Sequence, residues 1–87
     1  MTTEKKRGGR FSIDAHMVDR APKAVIAVLR DLIVVECEMH FAGWRLEYVA
    51  YGPQFDEVQP GEMYPYYDVK IKDLKPGEYH VTFKRRE

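Results

Sequence analysis

The sequence lacks any long hydrophobic run. A membrane-crossing helix needs roughly 20 consecutive apolar residues, and no stretch approaches that, so a helical membrane span is excluded. Cysteine is nearly absent: Cys37 stands alone and cannot close an intrachain disulfide. Net charge is missing as well, because 14 Lys and Arg balance 14 Asp and Glu, whereas nucleic-acid-binding domains are usually basic overall. Met1 to Arg10 is polar and basic with no hydrophobic region behind it. No secretory signal is therefore expected, and with the single cysteine this points to the reducing cytosol. Spacings that carry chemistry are also lacking. His16, Cys37, His40 and His80 have no CxxC, HxxxH or HExxH arrangement, and Gly8-Gly9 has no phosphate-loop context. The expectation is no metal, no cofactor and no enzymatic activity.

What is there is an ordinary globular balance. The chain has 87 residues, of which 45% are apolar, 13% aromatic and 32% charged. That is too apolar for disorder and too short for two domains. A domain of this size has a thin core, and dimerisation is a common way to enlarge it, so a homodimer is expected.

Residues 1–10 have no apolar periodicity, two glycines and four basic residues, which reads as a flexible basic arm before a single domain at 11–87. From Phe11 to Val18 apolar residues recur at every second position, predicting a half-buried strand. Asp19 before Pro22 marks a helix start, since proline has no amide hydrogen to lose there. Val25, Val28, Leu29 and Leu32 then form one helical stripe. The end of that helix has two readings, near Leu32 or at His40. The β-branched run Ile33-Val34-Val35 and the alternation of Val35, Cys37, Met39 and Phe41 with Glu36, Glu38 and His40 favour a strand after Leu32. Ala42-Gly43 is read as its turn, and Trp44, Leu46, Tyr48 and Ala50 as the apolar side of the returning strand.

Three prolines and two glycines interrupt residues 52–65, predicting a long loop. A last hairpin follows, with Tyr67, Val69 and Ile71 against Tyr79, Val81 and Phe83 around a turn at 73–77. The stretch Leu74-Lys75-Pro76-Gly77-Glu78-Tyr79-His80-Val81 resembles the Leu-x-Pro-Gly-x-Tyr-x-Val segment of fibronectin-type sandwiches, where the tyrosine pins a corner. The likeness spans eight residues and implies a Pro-Gly turn before an edge strand. The helix near the N-terminus does not belong to that fold. The predicted order is β-α-β-β-β-β: an α+β domain of two layers, with one short helix on a mainly antiparallel sheet of four to five strands.

Charge is segregated: about +3 over residues 1–10, −2 over 11–40, −4 over 41–68 and +3 over 69–87. Cross-strand pairing between an acidic and a basic hairpin would offset this. Alternatively, Lys5, Lys6, Arg7, Arg10, Lys70, Lys72, Lys84 and Arg86 form a phosphate-contacting surface for nucleic acid or nucleotide, with Tyr66 to stack on bases. Glu36, Glu38 and Glu47 are a candidate carboxylate cluster, to be judged by whether they line a concavity or a flat solvated face.

Six tyrosines in 87 residues are the most informative excess. Exposed tyrosine beside methionine and phenylalanine is what protein interfaces enrich. Phe55, Asp56, Glu57, Glu62, Met63, Tyr64 and Tyr66 are accordingly the candidate protein-binding residues, with the alternative that Phe55, Met63 and Tyr64 fold back over the open end of the core. The sequence thus predicts a small non-enzymatic binding module, an inhibitor or adaptor of the size common among viral and mobile-element accessory proteins. Its protein partner is unknown, and nucleic acid is the alternative.

Overall fold

The computed structural model describes residues 6–86. Strand β1 (Lys6–Asp14) turns Phe11 and Ile13 inward and Arg10, Ser12 and Asp14 outward. It begins well before the expected position, so Lys6 to Arg10 are strand rather than arm; the remainder of the expected arm lies outside the described residues. Its glycines are there to let rings approach. A Cβ on Gly9 would lie 2.7 Å from the Tyr67 ring and 2.8 Å from the Phe55 ring, and one on Gly8 would lie 2.6 Å from Tyr64. The strand also stops earlier than expected. The Asp14 carboxylate accepts a hydrogen bond from the His16 amide at 2.9 Å, an Asx turn that redirects the chain. These bonds from His16, backbone first and side chain second, hold the Asp14 carboxyl below its ordinary range.

Two short helices follow, α1 (Met17–Arg20) and α2 (Pro22–Leu29), with Pro22 at the first turn of α2 as its missing amide hydrogen allows. Ala24 and Val28 are buried, and Val25, Leu29 and Leu32 pack beside the core. The helix ends at Leu29, and β2 (Ile33–His40) is a strand, which settles the two readings of that segment. Strand β3 (Arg45–Tyr51) returns antiparallel to it, with a bulge between Val34 and Glu36. Trp44 belongs to the turn rather than to β3. It takes a left-handed backbone (φ 49°) and is exposed beside Phe41, because four residues, not two, reverse the chain.

The two-residue strand β4 (Glu57–Val58) pairs with Lys6 and Arg7. The four-stranded antiparallel sheet runs in the order β2-β3-β1-β4. Strands β5 (Tyr67–Lys75) and β6 (Glu78–Arg85) form a separate two-stranded sheet. It is tied to the first by the bridge between Arg10 and Tyr66. Gly77 takes φ +80° in the Pro-Gly turn between them, as the eight-residue resemblance implies for the turn. The hairpin is not coplanar with the acidic one. Val69, Ile71, Val81 and Phe83 pack against Phe11, Tyr48, Phe55 and Tyr67, so the hairpin and α2 together cover the inner side of β1 and β3, while β2 stays largely exposed. The fold is mixed α+β, as expected. Among the described residues no helix is long and apolar enough to cross a membrane.

Aromatic rings dominate the core. Phe11 stacks on Tyr48 at 5.2 Å and meets Phe83 edge-on at 5.4 Å, while Phe55 lies 4.8 Å from Tyr67 and 5.0 Å from Phe83. Such pairs add roughly 0.5–1.5 kcal/mol each beyond area burial. Burial, with the neighbouring Cys37 second, pushes the Tyr48 phenol up to about 12 from the ordinary 10. The fold keeps the neutral phenol, so this stabilisation is complete below pH 10 and is lost as the pH rises through 12. Stability should fall by about 2 kcal/mol over that window from this group. Urea midpoints at pH 8 and near pH 11 check it, and Tyr48→Phe should flatten the fall.

Candidate interaction surface

The loop at residues 52–66 is a lid over the core. Phe55 is 1% exposed and Val58 is buried with it, so of the two readings of Phe55, binding residue or closure of the core, the structure has the second: apolar area this large is worth more inside than in water. Four groups hold the loop down. The Asp56 amide donates to the Tyr67 hydroxyl at 2.8 Å, and the Asp56 carboxylate pairs with Arg85 at 2.9 Å. Arg7 donates to the Phe55 carbonyl at 3.0 Å and lies 3.7 Å from Glu57. Arg10 donates to the Tyr64 carbonyl at 2.7 Å. The acidic loop and the basic chain ends therefore satisfy each other across the lid. Glu62 accepts from the Gln59 amide at 3.1 Å, and only Met63, 77% exposed, projects as a free apolar tip.

Tyr64 and Tyr66 cross onto the outer side of the four-stranded sheet. The Tyr64 hydroxyl donates to the Tyr51 hydroxyl at 3.1 Å, a bond to its neutral form that raises its pKa. The Tyr66 hydroxyl donates to Glu47 at 3.1 Å. Arg86 lies 4.4 Å and Arg10 5.9 Å from the Tyr66 ring centre, two cations against one aromatic ring. Arg86 is also bonded to Asp68, which raises its pKa further.

The remaining basic candidates divide. Lys70, Lys72 and Lys84 stand on the solvent side of the β5–β6 hairpin, with their strand neighbours turned to the core. Lys6 lies over the Tyr51 ring at 5.0 Å. The acidic outer sheet and the basic outer hairpin thus lie on opposite sides of the core, and Arg10 and Arg86 come together at Tyr66 between them. Lys5 lies outside the described residues.

On the outer sheet, register places Glu38 directly opposite Glu47 and Glu36 opposite Val49. These carboxylates line a shallow depression of about 380 Å³ with His40, Arg10 and Tyr66. Arg45 lies 3.6 Å from Glu47, and His40 lies 4.0 Å from Glu38. The arrangement suits attraction of a cation. Among the described residues no group of three His, Cys, Asp or Glu side chains is close enough to hold a metal. His16 is bonded to Asp14, Cys37 is exposed opposite Tyr48, and His80 is exposed opposite Lys72.

The edge position of strand β2 is the feature that sequence reasoning missed. It pairs with β3 on one side only. Ile33, Val34 and Val35 are 70%, 40% and 49% exposed, and Cys37 is exposed as well. Its alternation was legible, but its position at the edge was not, because pairing order leaves no trace in a strand's own pattern. No protein-family model, curated protein or solved structure matches this chain.

Proposed function

We propose that the protein is a non-enzymatic protein-binding module, an inhibitor or adaptor, that works through the outer face of its four-stranded sheet rather than through the loop. The observation that carries this reading is the one-sidedness of the fold. Both helices and the β5–β6 hairpin lie over the inner side of β1 and β3, leaving the outer side with three half-buried tyrosines and a carboxylate row, beside an edge strand bearing exposed Ile33, Val34 and Val35. Exposed apolar side chains in a contiguous run mark interaction surfaces, and tyrosine contributes large contact area at low entropic cost. The loop contributes at most its Met63 and Glu62 tip.

Nucleic acid is a second reading, favoured by the convergence of Arg10 and Arg86 on the Tyr66 ring and by the lysines of the hairpin. It is weaker because Arg7, Arg10, Arg85 and Arg86 already bind groups of the chain itself. The test is capture from lysate with the tagged protein, with and without nuclease. The expected result is a stoichiometric protein that survives nuclease and moderate salt. Capture that vanishes with nuclease, or falls with the steep salt dependence of phosphate contacts, would transfer the function to the basic hairpin.

A further inference from the structure

Strand β2 offers eight residues with one side paired to β3 and the other open. In an antiparallel pair only alternate residues direct their amide and carbonyl groups toward the neighbour. The other residues of β2 therefore point theirs at the open edge, a row of donors and acceptors at strand spacing. Edges of this kind are templates for an added strand.

The side chains say what such a strand carries. On the outer side of β2 stand Glu36 and Glu38, with Glu47 directly behind Glu38. On the inner side stand Cys37 and Met39, opposite Tyr48 and Leu46. An incoming strand places alternate side chains on these same two sides. Its outward residues meet carboxylates, and its inward residues meet apolar groups. Beyond Glu36 the exposed Ile33, Val34 and Val35 extend the apolar contact.

A second copy of this chain is a poor occupant. In antiparallel self-pairing centred on Cys37, Glu36 of each copy faces Glu38 of the other, and like charges directly opposite are destabilising. The depression beside the row, lined by Glu36, Glu38, Glu47 and Tyr66, leaves room for a long cationic side chain to reach from the added strand toward Glu47.

We propose that β2 binds an extended segment of a partner protein in which lysine or arginine alternates with apolar residues, adding it as a fifth strand at the sheet edge. This rests on the protein-binding reading and names the chemistry of the segment bound. The probe is a fluorescent ten-residue peptide of alternating Lys and Val, beside an alternating Lys and Pro peptide of equal charge, which lacks every second amide donor and whose prolines fix φ near about −65°, away from paired-strand geometry, and an alternating Glu and Val peptide. Binding is followed by anisotropy, with amide exchange mapped over residues 33–40. The Lys-Val peptide is expected to bind at least tenfold more tightly than the Lys-Pro peptide, to protect residues 33–40, and to lose at least tenfold with Glu36→Lys/Glu38→Lys. Val35→Pro, at the bulge, should weaken it without lowering the thermal midpoint appreciably, because proline is tolerated at bulges and edges. Equal affinity for the Lys-Pro peptide, protection elsewhere, or no binding would overturn strand addition. If the protein still captures a nuclease-resistant partner that the Lys-Val peptide does not displace, only this inference falls. If it captures none, the protein-binding reading falls with it.

Discussion

Phe55→Ala is expected to cost about 3–5 kcal/mol, the range for deleting a large buried aromatic. A chain of this length has roughly 4–13 kcal/mol of total stability, so the loss removes between about a quarter and all of it. The reason is geometric. The Phe55 ring contacts Phe11, Tyr67 and Phe83 at centroid distances of 6.2, 4.8 and 5.0 Å and is 1% exposed. Met63→Ser, only eight positions on in the same loop, should change stability by less than about 0.5 kcal/mol, because exposed side chains without partners rarely matter more. Urea denaturation of the two variants separates a lid from an interface. Comparable small effects for both would mean that Phe55 is not packed as described.

Gly9→Ala is the second large effect. A single added methyl would lie 2.7 Å from the Tyr67 ring and 2.8 Å from the Phe55 ring, closer than carbon atoms approach without displacement. Both rings are buried in the aromatic cluster, so neither is a flexible end that can swing aside. Overpacking of this kind typically costs about 1–3 kcal/mol. Gly61→Ala is the useful contrast: nothing lies within 4 Å of its added methyl, but the backbone there has φ +88°. Its cost should be about 1–2 kcal/mol from left-handed strain alone. Thermal melts of the two variants, with near-ultraviolet circular dichroism, distinguish them: Gly9→Ala should perturb the aromatic signal, and Gly61→Ala should leave it unchanged.

These two positions also show where sequence reading succeeds and stops. The period-two patterns of β3, β5 and β6 were readable because each of these strands turns one side to the core, that of β2 because Cys37 and Met39 alternate with Glu36, Glu38 and His40, and the β-branched Ile33-Val34-Val35 run ended the helix where the structure ends it, within a turn. Gly8-Gly9 read as part of a flexible arm, although in fact each glycine makes room for a ring from a residue more than 40 positions away. No local pattern encodes that. Phe55 stands alone among prolines and polar residues, so no periodicity marked it as core; its burial follows from the closure of the lid by Arg7, Arg85 and Tyr67. The alternation through Trp44 extended the strand one residue too far, since a left-handed turn residue shows no signature when it is not glycine.

The site was legible in part. Tyr66 and Arg86 were singled out, and the structure brings them together with Arg10. The carboxylates Glu36, Glu38 and Glu47 were recognised as neighbours and share one depression. The charge segregation was visible, but its consequence was not. Part of it is spent on holding the lid, through Asp56 and Glu57, and the rest is displayed on opposite sides of the core, acidic on the sheet and basic on the hairpin. Strand order decides that division, and strand order is a long-range property.

The measurement that tests the account most directly is capture from nuclease-treated lysate with three baits of equal fold: the unaltered protein, Glu36→Lys/Glu38→Lys and Glu62→Ser/Met63→Ser. The account predicts one stoichiometric protein on the unaltered bait and on the loop variant, and its loss from the sheet variant. Retention by the sheet variant with loss from the loop variant would contradict it and return the interaction to the tip of the lid.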